Sequence, residues 1–150
     1  MKPILIALGL AAIAATAQAA DAPSGKTLYK SECAACHIAY PENYLPMRSW
    51  KAVMADLANH FGEDASLDDA TRASIETYLL ANSADTNGTP RWLKYLPADE
   101  APMRITEFKW FRNEHGSRVM NWIASHPEVG SVANCAACHK GAERGIFEDD

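Results

Sequence analysis

The chain has 150 residues, with 14 basic and 19 acidic side chains and a formal net charge of −5. It has no basic excess and no basic run, which argues against a nucleic-acid-binding protein. The length leaves no room for a second large domain.

The N terminus, residues 1–19, has the pattern of a secretory signal peptide. Lys2 supplies a charged start, residues 4–17 form an apolar run, and residues 17–19 offer a small-x-small cleavage site. The run is shorter than the roughly 18 to 20 residues that a membrane span needs. We therefore predict cleavage rather than an uncleaved anchor, and export of residues 20–150 to the periplasm.

The mature chain is poor in the residues that usually build a core. It has 13 basic against 19 acidic residues, a formal charge of −6, and Leu, Ile, Val and Phe make up about 16% of it. Values below about 20% together with substantial net charge are typical of disordered chains. Either the protein is partly unfolded, or a group outside the sequence completes its core.

All four cysteines lie in two copies of one pentapeptide, Cys-Ala-Ala-Cys-His, at residues 33–37 and 135–139. C-x-x-C-H is the attachment signature of c-type haem. The two thiols, one helical turn apart, can form thioethers with the vinyl groups on one porphyrin edge, and the following histidine binds the iron. The pattern predicts two covalent haem c groups. The predicted binding residues are Cys33, Cys36 and His37 for the first haem, and Cys135, Cys138 and His139 for the second.

Three other chemistries use paired cysteines. A zinc site with four thiolates leaves both histidines unexplained and joins pairs that are far apart along the chain. Structural disulfides suit an exported chain, but two identical pentapeptides are a poor layout for joining loops. A thioredoxin-like redox pair needs a βαβ context that the sequence does not show.

The N-terminal part of the mature chain predicts three helices. Ser24 can cap the first, and Ser49 can cap the second, in which apolar residues recur at helical spacing with His60 on the same face. Ser66 or Asp68 can cap the third, where acidic residues suit the positive N-terminal end. The predicted helices cover residues 25–37, 50–61 and about 67–82.

The C-terminal part follows a loop region, residues 84–102, that contains Asn-Gly and three prolines. We place there the boundary between two haem-binding halves, residues 20–85 and 86–150. Thr106 can cap a helix to about His115. A short helix over residues 118–125 should close at His126, because the residue before a proline avoids the helical region.

A last helix is expected to carry residues 135–142. No run of the chain shows the alternation of a strand or is rich enough in β-branched residues to suggest a sheet. The predicted fold class is therefore mostly α, a small c-type cytochrome with two haem-binding halves, long loops and little or no sheet.

Each iron also needs a distal ligand, and three histidines remain for two positions. A buried imidazole without a partner would cost about 1–3 kcal/mol, so His60 on its apolar face is predicted to be the distal ligand of the first haem. Methionine is the other usual distal ligand. The available methionines are Met47, Met54, Met103 and Met120.

His115 and His126 compete for the second haem. His115 lies four residues after Phe111 on the apolar face of an aromatic helix, whereas His126 precedes a proline in a loop. The separation from His37 to His60 is 23 positions, and that from His115 to His139 is 24, in the reverse order. The spacing favours His115. The segment between His126 and His139 is also long enough to pass round a porphyrin edge, so His126 stays open as the alternative.

Segments along the whole mature chain carry a family resemblance. Besides the two pentapeptides they are Trp50, His60-Phe61-Gly62-Glu63, Arg104-Ile105-Thr106, Glu114-His115, Asn134, Ala142, Gly145 and Phe147. On these residues the chain resembles the dihaem cytochrome c family of small bacterial periplasmic electron carriers. The resemblance implies bis-histidine coordination at both irons, with His60 at the first and His115 at the second. It also implies an oxygen-binding monohaem cytochrome c as electron acceptor. The extra His126 departs from the family's pattern.

These features predict a periplasmic electron-transfer protein rather than an enzyme, because protein ligands fill both axial positions of each iron. Bis-histidine ligation lacks the methionine that raises the potential, so low reduction potentials are expected. The acidic surface should attract a basic partner, with an association that salt weakens. A subunit that docks on a membrane quinol oxidoreductase is compatible with this function.

The alternative function is a dihaem enzyme or gas-binding protein of the peroxidase type. It requires one five-coordinate haem, as would arise if His115 is not a ligand. In either case two porphyrins would supply the apolar mass that the chain lacks, so we predict no compact native state without haem.

Overall fold

The computed structural model describes residues 22–147; the predicted signal peptide, residues 1–19, lies outside them. Within the described range there are five α-helices joined by loops and short 3₁₀ turns, and no strand. The helices are α1 (Gly25–Cys33), α2 (Met47–Ala55), α3 (Asp69–Ala81), α4 (Lys109–Glu114) and α5 (Ser117–Ala124). The prediction of a mostly α fold is confirmed.

Helix α1 begins as predicted and ends earlier. The Ser24 hydroxyl accepts a hydrogen bond from the Thr27 N–H at 3.2 Å, which satisfies one of the free donors of the first turn. The helix ends at Cys33, and residues 34–36 form a turn. The prediction that the helix continues to His37 is therefore wrong: Ala35 donates to the carbonyl of Glu32, three residues back, and this tighter turn takes the chain off the helix axis.

The core lies between α3 and the first two helices. Ile75 and Leu79 on α3 are fully buried. They pack with Tyr29 of α1 and with Trp50 of α2, whose rings meet edge to face at 6.0 Å. Helix α3 is capped by Asp68, whose carboxylate accepts from two N–H groups of the first turn at 3.1 and 3.0 Å. Ser66 and Asp68 were the two predicted caps for this helix, and the structure uses Asp68.

Helix α2 is shorter than the apolar periodicity predicts. It starts at Met47, so Ser49 is a buried residue inside the helix rather than its cap. It ends at Ala55, because Asp56 leaves the helical region with φ −141° and ψ 61°. His60 therefore does not lie on this helix, and the prediction of a helix to residue 61 is wrong.

The chain after residue 105 is built from short elements. A 3₁₀ turn over Ile105–Glu107 precedes α4, so Thr106 lies inside that turn and does not cap α4. Helix α5 starts one residue before its predicted range, at Ser117.

The second pentapeptide is not carried by an α-helix. Two 3₁₀ turns, Cys135–Ala137 and Ala142–Arg144, replace the helix predicted over residues 135–142. The chain folds back at Gly141, where Ile146 donates to the Gly141 carbonyl at 3.0 Å and a Cβ would lie 2.6 Å from that of Ile146. This reversal leaves no room for a continuous helix.

Gly25 allows α1 and α3 to approach closely. A Cβ there would lie 2.8 Å from the Cβ of Tyr78 and nearer still to the carbonyl oxygen of Ser74. We expect Gly25→Ala to force the helices apart and to lower the free energy of unfolding by about 1–3 kcal/mol. Gly116→Ala is the control, since a Cβ there meets no atom within 4 Å. Its cost should stay below about 1 kcal/mol. Urea unfolding of the haem-loaded variants measures both changes in the free energy of unfolding. Equal changes in the two variants would contradict the close approach of α1 and α3.

Among residues 22–147, no helix is both long enough and apolar enough to cross a bilayer.

Candidate haem-binding sites

The first pentapeptide brings His37 close to His60. The two ring centroids are 6.2 Å apart, and the ring planes differ by 23°. Nδ1 of His37 lies 2.6 Å from the carbonyl oxygen of Ile38. A carbonyl only accepts, so Nδ1 carries the proton and Nε2 keeps a lone pair that can bind a metal ion.

His60 lies at the start of a tight turn. His60 and Glu63 exchange both backbone hydrogen bonds, at 2.8 and 3.1 Å, and the residues between them, Phe61 and Gly62, have φ values of 54° and 103°. Two successive positive φ angles are typical of a type I′ turn. A bulky side chain rarely adopts the left-handed region, so Phe61 is a strained position that its surroundings must enforce.

The environment of His60 favours its neutral ring. Burial lowers the pKa of His60, and the neighbouring His37 and the Arg104 guanidinium lower it further. The neutral imidazole is the form that binds metal ions.

The second pentapeptide brings His139 close to His115. Their ring centroids are 6.0 Å apart, and the planes differ by 76°. His115 follows the last residue of α4, and its ring stacks on Phe111 at 4.0 Å. Its Nδ1 donates to the carbonyl of Phe111 at 3.1 Å, which again leaves Nε2 unprotonated.

His126 has different neighbours. Its ring stacks on Trp122 at 3.9 Å, and its Nδ1 donates to the Trp122 carbonyl at 2.7 Å. The hydroxyl of Ser125 lies 3.1 Å from the same nitrogen. Of the two histidines that the sequence leaves open, the structure brings His115 together with His139 and holds His126 against the end of α5.

The spacing of both histidine pairs fits one metal ion between the rings. With metal–nitrogen bonds of about 2 Å and a ring centre about 1 Å beyond each nitrogen, two imidazoles on one ion have centroids about 6 Å apart. The pairs His37–His60 and His115–His139 have separations of 6.2 and 6.0 Å. Each pair therefore fits the axial positions of a haem iron.

The environment of the first cysteine in each motif does not suit a thioredoxin-like redox pair. Burial, with a smaller contribution from Glu32, raises the pKa of Cys33 to about 11. Burial likewise raises the pKa of Cys135, and Cys138 adds to the rise. Thioredoxin-like pairs have a lowered thiol pKa, and no βαβ unit occurs among residues 22–147.

Open apolar side chains follow His115 along the chain. Helix α5, which starts two residues after His115, has no buried side chain although it carries Val119, Met120, Trp122 and Ile123. Met120 and Trp122 are 43% and 45% exposed. Such a surface suits contact with an apolar prosthetic group.

Tyr40 connects the two pentapeptides, and the sequence analysis did not single it out. Its ring stacks on His37 at 5.0 Å, and its hydroxyl donates to the carbonyl of Ala133 at 3.0 Å, two residues before Cys135. Burial and the neighbouring Cys135 raise the pKa of Tyr40, while Arg104 opposes the rise. The only sequence signal was its position three residues after His37.

The attachment motifs and the mostly α scaffold define a small c-type cytochrome with two haems. Residues 29–147 match the family model for dihaem cytochrome c. The chain belongs to the dihaem cytochrome c family, and its cofactors are two covalently bound haem c groups.

Solved structures agree with this membership. A diheme cytochrome c from Rhodobacter sphaeroides is 53% identical, with a TM-score of 0.74 and coverage of 81% of this chain and 95% of that one. A second structure, of DHC purified from Rhodobacter sphaeroides, is 49% identical, with a TM-score of 0.64 and coverages of 81% and 96%. A diheme cytochrome type c from Shewanella baltica OS155 is 37% identical, with a TM-score of 0.68 and coverages of 84% and 89%. The comparison with curated proteins gives no match.

Proposed function

We propose that this protein is a periplasmic electron carrier with two bis-histidine haems. The first haem is held by the thiols of Cys33 and Cys36 and by His37 and His60. The second is held by the thiols of Cys135 and Cys138 and by His115 and His139. The chain then divides into two haem-binding halves, residues 20–85 and 86–150, that act as one dihaem unit.

The observation that carries the proposal is the pairing of the histidine rings. Each pentapeptide histidine has a second imidazole at about the distance that one shared metal ion requires, 6.2 Å in one pair and 6.0 Å in the other. In His37 and His115 the protonated Nδ1 donates to a backbone carbonyl. This hydrogen bond orients the ring and raises the basicity of the nitrogen that binds the metal ion.

Bound haem supplies a reversible one-electron change between ferric and ferrous iron. The chain supplies the orientation of the ligands. Because the distal ligand His115 is held both by its Nδ1 hydrogen bond and by stacking on Phe111, it resists displacement by small molecules. With two histidines bound to each iron, no position would remain at either iron for a substrate, which favours an electron carrier over an enzyme.

The proposed partner is another redox protein with a basic docking surface. The formal net charge of −5 favours a positively charged partner. The family resemblance points to an oxygen-binding monohaem cytochrome c as the acceptor. Cleavage of residues 1–19 after export would release the chain into the periplasm, where haem attachment to exported C-x-x-C-H motifs takes place.

Optical and EPR spectra of the purified protein test the proposal. We expect two low-spin ferric signals and no uptake of carbon monoxide by the reduced protein, because histidine fills every axial position. The spectra are recorded on protein that carries both haems and has both cysteine pairs intact. A high-spin ferric signal, or carbon monoxide binding to one haem of the native protein, would overturn the carrier function in favour of an enzyme or gas-binding protein.

A further inference from the structure

A cation from the C-terminal part of the chain lies over the turn that carries His60. The guanidinium carbon of Arg104 is 3.8 Å from the centroid of the Phe61 ring, which is the geometry of a cation–π contact. The Phe61 ring in turn meets the His60 ring at 4.7 Å, nearly edge to face. The positive charge is therefore separated from the distal imidazole by a single aromatic ring.

The backbone of Arg104 is anchored to the core. Its carbonyl accepts the N–H of Glu107 at 3.0 Å in the turn that precedes α4. Ile105 packs against the core, and Phe108 is buried in it. The side chain of Arg104 is exposed, but its backbone is held in place by these neighbours.

The contact also explains how a strained turn persists. Phe61 adopts a φ of 54°, which a bulky residue adopts only when its surroundings enforce it. The bridge between His60 and Glu63 constrains the turn from its backbone side, and Arg104 covers it from the ring side. A residue 43 positions after Phe61 thus helps to hold the proposed distal ligand of the first haem.

We propose that Arg104 is a positioning residue for the first haem and that its charge raises the reduction potential of that haem. The inference rests on the proposed function, in which His37 and His60 bind the first iron. Ferric bis-histidine haem carries one more positive charge than the ferrous form, so a nearby cation favours the ferrous form. Removal of the charge should therefore lower the potential.

The expected size follows from Coulomb's law. A unit charge about 10 Å away, in the effective dielectric of about 20 found near a protein surface, changes a one-electron equilibrium by about fifteenfold. Solvent screens an exposed guanidinium, so we expect a change of about threefold to tenfold, which corresponds to about 30–60 mV for one electron.

The test is a spectroelectrochemical redox titration of four haem-loaded proteins: wild type, Arg104→Met, Arg104→Lys and Arg91→Met. Methionine keeps an apolar contact over Phe61 and loses the charge, whereas lysine keeps the charge. Arg91 is an exposed arginine in another segment and serves as the matched control. In His60→Ala the first haem stays attached but loses its distal ligand, so the titration step whose potential changes in that variant identifies the first haem.

We expect Arg104→Met to lower the potential of the first haem alone, with Arg104→Lys close to wild type and Arg91→Met unchanged. The proposal would be overturned if Arg104→Met shows no shift in potential. It would also be overturned if Arg104→Lys or Arg91→Met shows the same shift as Arg104→Met. If Arg104→Met fails to fold, Phe61→Leu replaces it, because loss of the ring releases the guanidinium and should give a smaller shift of the same sign. The EPR spectrum of the wild type separates failure of the proposed function from failure of the role of Arg104. A high-spin signal in the native protein contradicts the proposed function. A low-spin wild type whose variants show no shift in potential contradicts only the role of Arg104.

Discussion

His115→Ala should convert one of the two haems to a five-coordinate, high-spin form that binds carbon monoxide when reduced. The ring of His115 lies 6.0 Å from that of His139, and its Nδ1 is held by the Phe111 carbonyl. Loss of the imidazole leaves the iron without a distal ligand from the protein. Half of the total haem should then take up carbon monoxide, against none in the wild type. Difference absorbance spectra measure this fraction directly.

His126→Ala is the matched control for that prediction. His126 also precedes the second pentapeptide, but its ring stacks on Trp122 and its Nδ1 is held by the Trp122 carbonyl. We expect both haems to stay low-spin in this variant. Added imidazole should return the His115→Ala protein to a low-spin spectrum, because it refills the opened position. If His126→Ala opens a haem and His115→Ala does not, the proposed distal ligand is wrong.

A protein without the second haem should lose the structure of α5 while α3 remains folded. Cys135→Ser with Cys138→Ser removes both attachment points of that haem. Helix α5 has no buried side chain, whereas Ile75 and Leu79 of α3 are fully buried by protein alone. Burial of one large apolar side chain contributes about 1.5–3 kcal/mol. If the second haem covers α5, the loss of even one such contact should accelerate amide exchange by about tenfold or more.

Hydrogen exchange followed by mass spectrometry reports on the two helices separately. The double variant Cys33→Ser with Cys36→Ser is the control, because it keeps the second haem and should keep the protection of α5. If α5 exchanges at the same rate in both double variants, the second haem does not cover it. A protein that lacks both haems should show no cooperative thermal transition, as the low content of Leu, Ile, Val and Phe predicts.

The cofactor was predictable from the sequence because its chemistry is local. The attachment of haem c needs two thiols and a histidine within five residues, and no distant contact changes that requirement. Two helix starts were predictable for a similar reason: Ser24 and Asp68 cap the first turns of α1 and α3 through bonds that span only two or three residues. The mostly α fold followed from the absence of strand alternation.

The ends of helices were less predictable. Apolar spacing continues from Trp50 to Phe61, yet α2 ends at Ala55. Periodicity records which residues face the core and cannot tell a continuous helix from a helix followed by turns that keep the same residues inward. The second pentapeptide is a similar case, since the reversal at Gly141 depends on its contact with Ile146.

By itself the sequence determined the cofactor class and the number of haems and predicted the proximal histidines, because these depend on covalent and nearest-neighbour chemistry. Only the tertiary structure decided which distant groups meet. It brought His115, and not His126, to His139; it placed His60 on a strained turn rather than a helix; and it laid Arg104 over that turn. Residues 24 or 43 positions apart come together through packing of the whole chain, which local propensity does not encode.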